Sequence, residues 1–296
     1  MKILNVVGAR PNFMKMAPLI RAMAKAKELQ GRLVHTGQHY DAAMSKTFFE
    51  ELHIPEPDIN LEVGSGSHAV QTAQVMMRFE EVLQAERPHL VLVVGDVNST
   101  LACAVTSAKL EVPVAHVEAG LRSFDRGMPE EINRVVTDAL SDLLFTTCEE
   151  ADRNLAREGV PPEKIFMVGN VMIDTLVQHV ELAKRSDIGA RLRLDGKPYT
   201  LVTLHRPSNV DHEAGLREIF AAFAELGPNP VVFPVHPRTR QRIAEFGLQR
   251  LLDGMPHLIL TDPLGYLDFL KLEAGAALVL TDSGGIQEET TYLQVP

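Results

Sequence analysis

The sequence predicts an α/β protein of two doubly wound, Rossmann-like domains facing each other across a cleft. Three observations carry this. Short apolar runs alternate with segments of helical period, the clearest being Ile3–Val7, His89–Val94, Pro113–Val117, Tyr199–Leu204, Val231–Val235 and Ala276–Leu280. Each run ends in a glycine-bearing or polar turn, the alternation that builds parallel sheets. The pattern restarts after a charged connector, Arg185–Lys197, and 296 residues suffice for two domains of ordinary size. We place the boundary at Gly169, giving domains 1–169 and 170–296.

In order, Ile3–Val7 is the first strand, Gly8–Asn12 a turn, and Phe13–Lys27 a helix with Met16, Leu19, Ile20 and Met23 on one face. Arg32–Thr36 is a second strand, Phe48–Leu52 part of a short helix, and Pro55–Gly66 a loop. Ala69–Leu83 is a helix, followed by the strand His89–Val94 and the helix Thr100–Leu110. The strand Pro113–Val117 leads to a helix opened by Pro129, a first-turn proline, with Ile132, Val135, Val136, Ala139 and Leu140 as its apolar face. Leu143–Thr147 is a strand, Cys148–Glu158 a helix, Ile165–Asn170 a strand and Val171–Lys184 a helix. In the second half Glu213–Leu226 and Tyr266–Glu273 are helices, and Val231–Val235 and Leu258–Leu260 are strands.

In an open α/β sheet the ligand crevice lies outside the carboxyl ends of the strands. Residues just past those ends are therefore the site candidates. Arg10 and Lys15 follow the first strand, Asp96 and Glu118 end two successive strands, and Glu130 opens the next helix, four residues before Arg134, with which it can pair. In the second half His205 and His236 each follow a strand, where imidazolium can neutralise phosphate and pass protons near neutral pH. The stretch Thr281–Glu289 turns from strand to helix at Ser283-Gly284-Gly285. Two glycines let a ligand approach the backbone closely, and the first amides of a helix favour an anion. We read it as a nucleotide diphosphate cradle, with Glu289 one turn further on suited to a neutral diol such as ribose. Carboxylates near an anionic leaving group point to proton removal from carbon with loss of phosphate, or to glycosyl transfer.

Composition narrows the classes. A net charge of −10 argues against nucleic acid as a partner. No run is long enough to cross a membrane, and Met1–Val7 is too short for a signal peptide. Cys103 and Cys148 read as buried, reduced thiols and point to the cytoplasm. No ligand-spaced His/Cys/Asp cluster and no G-x-G-x-x-G follows the first strand, so neither a metal nor a nicotinamide cofactor is expected.

At Gly8-Ala9-Arg10-Pro11 with Lys15, Thr36-Gly37-Gln38-His39, Gly95–Thr100, His116–Arg122, Pro129–Arg134, His205-Arg206, His236-Pro237 and Thr281–Glu289, the chain resembles the non-hydrolysing UDP-N-acetylglucosamine 2-epimerases. The motifs fall in the family's order along the whole chain. The resemblance implies the glycosyltransferase-B arrangement and inversion at C2 of the sugar, by elimination of UDP to 2-acetamidoglucal and re-addition. It makes Asp96, Glu118 and Glu130 the acid/base candidates, without saying which takes the C2 proton. Arg10 and His205 would stabilise the departing diphosphate, and Lys15 and Arg134 belong with the substrate-binding residues. Ser283, Gly284 and Gly285 would hold phosphates, Glu289 the ribose, and Phe269 would pack near the uracil. A homodimer is implied, as is a second, allosteric UDP-GlcNAc site at Gln38, His39 and His236. The chain departs from the family's pattern at Ala9 and Asn12, at Pro207-Ser208, and at His68-Ala69-Val70, where a basic residue is usual. It ends at Val295-Pro296, where the family continues with a strand and a closing helix, so the second domain is expected to be truncated. The competing readings are a hydrolysing or modified-sugar 2-epimerase (a 2,3-diacetamido uronate, for example), a glycosyltransferase of the same fold, and a UDP-sugar-binding fragment with little catalysis.

Overall fold

A computed structural model of the chain describes residues 1–37, 54–194 and 196–296, leaving out the side chains of Arg10 and Pro207. The expected helix at Phe48–Leu52, and the candidates Gln38 and His39, lie outside the described residues. The chain divides into two compact units, Met1–Thr175 and Leu176–Pro296.

The first unit holds β1 (Lys2–Val7), β2 (Gln30–His35), β3 (Ile59–Asn60), β4 (Leu90–Val94), β5 (Val114–Ala119), β6 (Leu143–Thr146) and β7 (Ile165–Met167). They form one parallel sheet in the order β3-β2-β1-β4-β5-β6-β7. The order reverses between β1 and β4, which makes their carboxyl ends the switch point where open α/β sheets bind ligands. Five buried residues make up β4, as a central strand covered on both faces requires. The helices are α1 (Arg10–Met23), α2 (His68–Glu86), α3 (Asn98–Lys109), α4 (Pro129–Leu140), α5 (Glu149–Arg157) and α6 (Val171–Ala183), the last spanning the division between the units. On α2, Gln71, Val75, Phe79 and Leu83 recur every fourth residue and are buried, Ser67 caps the start, and Arg87 ends it in the left-handed conformation. Phe79 and Leu83 pack on Leu4, Val6, Val91 and Val93 to form the core.

The second unit carries β8 (Thr200–Thr203), β9 (Val231–Pro234), β10 (Leu258–Thr261) and β11 (Leu278–Thr281), parallel and ordered β10-β9-β8-β11. Its helices are α7 (Ile188–Arg191), α8 (Pro207–Val210), α9 (Glu213–Glu225), α10 (Pro237–Glu245), α11 (Gln249–Asp253), α12 (Tyr266–Gly275) and α13 (Gly284–Leu293). Leu216, Phe220 and Phe223 of α9 pack on Val231 and Phe233. Here the switch point lies between β8 and β11.

The structure corrects several expectations. The first turn is shorter than Gly8–Asn12, because α1 already starts at Arg10 with Pro11 in its first turn, a position that needs no amide donor. The Pro55–Gly66 loop contains β3, α7 interrupts the charged connector, and α10 follows His236 directly. Cys103 is buried, but Cys148 is exposed because it sits at the start of α5, outside the packed stripe of Ala151, Asn154 and Leu155. The expected apolar face of α4 is the wrong face. Ile132 is 45% exposed, and the helix buries Glu131, Asn133, Thr137 and Asp138 instead.

Candidate active site

The first switch point is built on Gly8 and Gly95. A Cβ on Gly8 would lie 2.3 Å from Ser99 Oγ, so only glycine lets α3 approach β1 this closely. Asn12 closes the same turn. Its Oδ1 accepts from the Gly8 and Ala9 amides at 3.1 and 3.0 Å, and its Nδ2 donates to Val94 O at 2.9 Å. Asparagine thus supplies the turn with both an acceptor and a donor, which a carboxylate could not. Gly95 has φ +67°, and a Cβ on it would lie 3.4 Å from Lys15 Nζ.

Two cation–carboxylate pairs meet these turns. Lys15 Nζ lies 2.5 Å from Glu118 Oε2, with both side chains about nine-tenths buried. Arg134 Nη2 donates to Asp96 Oδ2 at 2.6 Å, and its Nη1 to Glu131 Oε2 at 3.1 Å. The expected Glu130–Arg134 pair gives way to these contacts: Glu130 is exposed, while Arg134 turns inward to Asp96 and the buried Glu131. Asp96 does not cap α3, whose N-cap is Val97 without a side-chain bond. Glu118 has φ +73°, where the β5–β6 register slips between Val117 and Ala119. A non-glycine residue held there costs on the order of 1–3 kcal/mol and marks a bulge that re-aims its side chain.

Behind these pairs lies a group that sequence reasoning missed. His116 is fully buried in β5; its Nδ1 faces Asp138 Oδ1 at 2.6 Å and its Nε2 faces Gly95 O at 2.8 Å. Both ring nitrogens meet acceptors, so both carry protons and the ring is an imidazolium. Burial opposes that charge, but Asp138 and the Gly95 carbonyl overcome it and raise the His116 pKa. Asp138 also accepts from Arg122 Nη1 at 2.7 Å and the Gly120 amide at 3.0 Å. Burial would push its carboxyl up; His116 and Arg122 instead hold it below its ordinary value. Arg122 continues to Glu158 at 2.6 Å. Glu131, also missed, accepts from Ser123 and Phe124 amides at 2.8 and 3.1 Å and so fastens the loop before α4. The signal for both was available: a histidine inside an apolar strand, and acids at 131 and 138 on one helical face.

The second switch point centres on Asp282. Its carboxylate accepts from His205 N at 3.0 Å, Arg206 N at 2.8 Å and Asn209 Nδ2 at 3.0 Å, and lies 2.9 Å from His205 Nδ1. Burial would raise this acid, but those hydrogen bonds hold it well below the usual carboxylate range. Thr203 and Thr281 hydroxyls join β8 to β11 at 2.7 Å, and Thr281 Oγ1 accepts from the Ser283 amide at 3.0 Å. α13 begins at Gly284, two residues earlier than the sequence reading placed it, and its first internal bond runs from Gln287 N to Ser283 O. The amides of Gly284, Gly285 and Ile286 are thus first-turn donors without an intrahelical acceptor. A Cβ on Gly284 would meet no atom within 4 Å, so packing does not demand glycine there. His236 is the N-cap of α10 and its ring accepts from Arg238 N at 3.2 Å; its ring centre lies 6.3 Å from that of His205. Phe269 packs on the cluster of Leu201 and Leu272. Glu289 is 1% exposed and accepts from Tyr266 Oη at 3.4 Å. Beside it, Glu273 is fully buried; burial and then the Glu289 charge push its pKa up to about 9.

Among the described residues no helix is long and apolar enough to cross a membrane, and no His/Cys/Asp/Glu group could hold a metal ion. Two parallel-sheet units, one carrying carboxylate–cation pairs and the other a helix N-terminus beside histidines, are the parts of a nucleotide-sugar enzyme. The UDP-N-acetylglucosamine 2-epimerase family profile matches residues 21–296, and the chain belongs to that family of isomerases. It is 45% identical over its full length to a UDP-N-acetylglucosamine 2-epimerase of Methanocaldococcus jannaschii, covering 82% of that protein. It is also 45% identical over its full length to a UDP-2,3-diacetamido-2,3-dideoxy-D-glucuronate 2-epimerase of Pseudomonas aeruginosa, again covering 82%. The crystal structure of the M. jannaschii UDP-GlcNAc 2-epimerase in complex with UDP-GlcNAc and UDP superposes with a TM-score of 0.92, over all of this chain and 83% of that one.

Two stability predictions follow from the buried acids. Asp138→Asn leaves the buried His116 imidazolium without its counter-ion and takes from Arg122 one of its two carboxylate partners, and chemical denaturation at pH 7 should show a loss of about 3–5 kcal/mol. Glu273 keeps its proton in the folded chain from its unfolded pKa near 4.5 up to about 9, so wild-type stability falls as pH rises through that window. Glu273→Gln should remove that fall, giving a gain in Tm that is larger at pH 8 than at pH 5.

Proposed function

We propose that the chain is a non-hydrolysing UDP-N-acetylglucosamine 2-epimerase that interconverts UDP-GlcNAc and UDP-ManNAc by eliminating and re-adding UDP. The observation that carries this is the paired setting of two strand-end carboxylates, Asp96 on Arg134 and Glu118 on Lys15, with Glu118 re-aimed by a bulge. Removing a proton from C2 leaves an electron pair that expels the diphosphate from C1, so the reaction needs a base for carbon and a match for the leaving anion. Asp96, Glu118 and Glu130 are the acid/base candidates. Lys15, Arg134 and Arg10 supply positive charge, and His205 stands at the diphosphate. The α13 N-terminus at Ser283, Gly284 and Gly285 holds phosphates, Glu289 serves the ribose, His236 lies near the nucleotide, and Phe269 lies toward the uracil. Gln38 and His39 belong to a proposed effector site. Residues 1–169 form the acid/base domain and 170–296 the UDP domain in this reading. The enzyme works in the cytoplasm as a homodimer, supplying cell-surface polysaccharide synthesis, without a metal or nicotinamide cofactor.

A second reading has specific support. The diacetamido-glucuronate epimerase of P. aeruginosa is as similar in sequence as the M. jannaschii enzyme, so a 3-acetamido uronate sugar is the alternative substrate.

Proton NMR in deuterated water with each UDP-sugar separates these. UDP-ManNAc appearing with deuterium at C2 is the expected result; free N-acetylmannosamine would instead mean hydrolysis, and turnover confined to the diacetamido uronate would move the substrate. Asp96→Asn should reduce C2 deuteration by about 10²-fold or more while UDP still binds. Normal exchange in that variant would remove Asp96 from the chemistry.

A further inference from the structure

His205 forms a pair with Asp282 at the second switch point. Its Nδ1 lies 2.9 Å from Asp282 Oδ1, and the same carboxylate accepts the backbone amides of His205 and Arg206 and the side-chain amide of Asn209. Asp282 is 7% exposed in its side chain, whereas His205 is 47% exposed. The carboxylate also spans the two strands at the switch point: Asp282 follows β11, His205 follows shortly after β8, and the Asp282 amide donates to Thr203 O at 3.3 Å. Arg206 Nε closes the ring of contacts on Asp282 O at 2.7 Å.

A carboxylate with this many donors stays ionised and cannot give a proton to the ring. Nδ1 is therefore the nitrogen that carries hydrogen, whichever protonation state the ring is in. The far nitrogen, Nε2, is turned away from Asp282. We propose that Asp282 is a positioning residue for His205: it fixes the ring's tautomer and plane so that Nε2 meets the diphosphate of the bound nucleotide sugar. The identity of the ligand rests on the epimerase reading; the tautomer does not. In the elimination the C1–O bond breaks with its electron pair on the diphosphate oxygen, while the C2 proton goes to an enzyme carboxylate. A fixed imidazole beside that oxygen can offer Nε2–H to the new charge when the ring is protonated, and re-addition runs through the same contact in reverse. The logic is that of other His–Asp pairs, in which the acid orients the ring and does not itself become protonated.

The same carboxylate gathers the Arg206 and Asn209 donors at the mouth of α8, so a purely structural role predicts that UDP affinity and thermal stability are what its loss would damage. The two roles separate in three measurements. Nitrogen-15 NMR of the histidine-labelled wild-type chain should show His205 with a protected Nδ1–H, and UDP should shift its Nε2 while Nδ1–H persists. Hydrogen on Nε2 in the neutral ring, or an Nε2 that ignores bound UDP, overturns the proposal. Asp282→Asn puts an amide where four donors need acceptors; it should lower kcat by about 10²-fold with KM little changed, and abolish the Nδ1–H protection. Unchanged kcat, or a loss that appears only in KM and Tm, overturns it. Should that variant fail to fold, the wild-type tautomer and its response to UDP decide alone. A wild-type chain that neither binds UDP nor turns over would instead refute the epimerase reading, and hydrogen on Nε2 in a chain that does turn over would refute only the pair.

Discussion

The strand ends at the first switch point depend on one buried ion group. His116, Asp138 and Arg122 have almost no solvent exposure, and three charges in an apolar interior are expensive unless each is matched. Here each is matched by geometry that also does something for the surface. The His116 imidazolium grips the carbonyl of Gly95, the residue before Asp96. Asp138 grips the amide of Gly120, two residues after Glu118. The ends of β4 and β5 are thereby fixed to each other and to α4. The strained backbone of Glu118 persists because its neighbours are held on both sides.

That arrangement explains why α4 is inverted relative to its sequence pattern. A helix normally buries its apolar stripe. Pro129–Leu140 instead turns Glu131, Asn133, Thr137 and Asp138 inward, because the strand end it packs against already holds charge that must be answered. Arg134 lies on the same side and delivers its guanidinium to Asp96 and Glu131. Exposed Ile132 on the other side is the consequence.

The fold was legible in the sequence because its signal is one-dimensional. Apolar runs of strand length, turn residues and helical periods gave the alternation, and most strands fall within two residues of their expected places, though β7 stops three residues before Asn170 and β3 lies in an expected loop. The strand-end rule then brought forward Asp96, Glu118, Lys15 and His205 without any coordinates. What stayed hidden were partnerships across distance. His116 and Asp138 are 22 residues apart, and His205 and Asp282 are 77 apart. Periodicity says which residues share a helix face; it does not say which strand that face will meet. Glu130 illustrates this: the four-residue spacing made it the natural partner of Arg134, yet a tertiary contact with Asp96 and an i,i+3 contact with the buried Glu131 won, since a part-buried guanidinium gains more from acids it shares with the core than from an exposed neighbour.

The two sheets repeat one local order, β3-β2-β1-β4 in the first unit and β10-β9-β8-β11 in the second, so each has a switch point beside its first strand, at β1/β4 and at β8/β11. The same architecture is fitted with opposite chemistry. The first switch point carries two acids, Asp96 and Glu118, each answered by a cation, Arg134 and Lys15. The second carries one deeply held acid, Asp282, whose whole hydrogen-bonding capacity is turned inward on the loop, leaving histidine and helix amides as what it offers outward. Proton chemistry and anion binding conflict when they share one surface, because a carboxylate base repels the phosphate it must work beside. In this chain each strand-end acid is neutralised where it stands, Asp96 and Glu118 by their own cations and Asp282 by the donors of its loop, so little carboxylate charge is left to oppose an anion at either switch point.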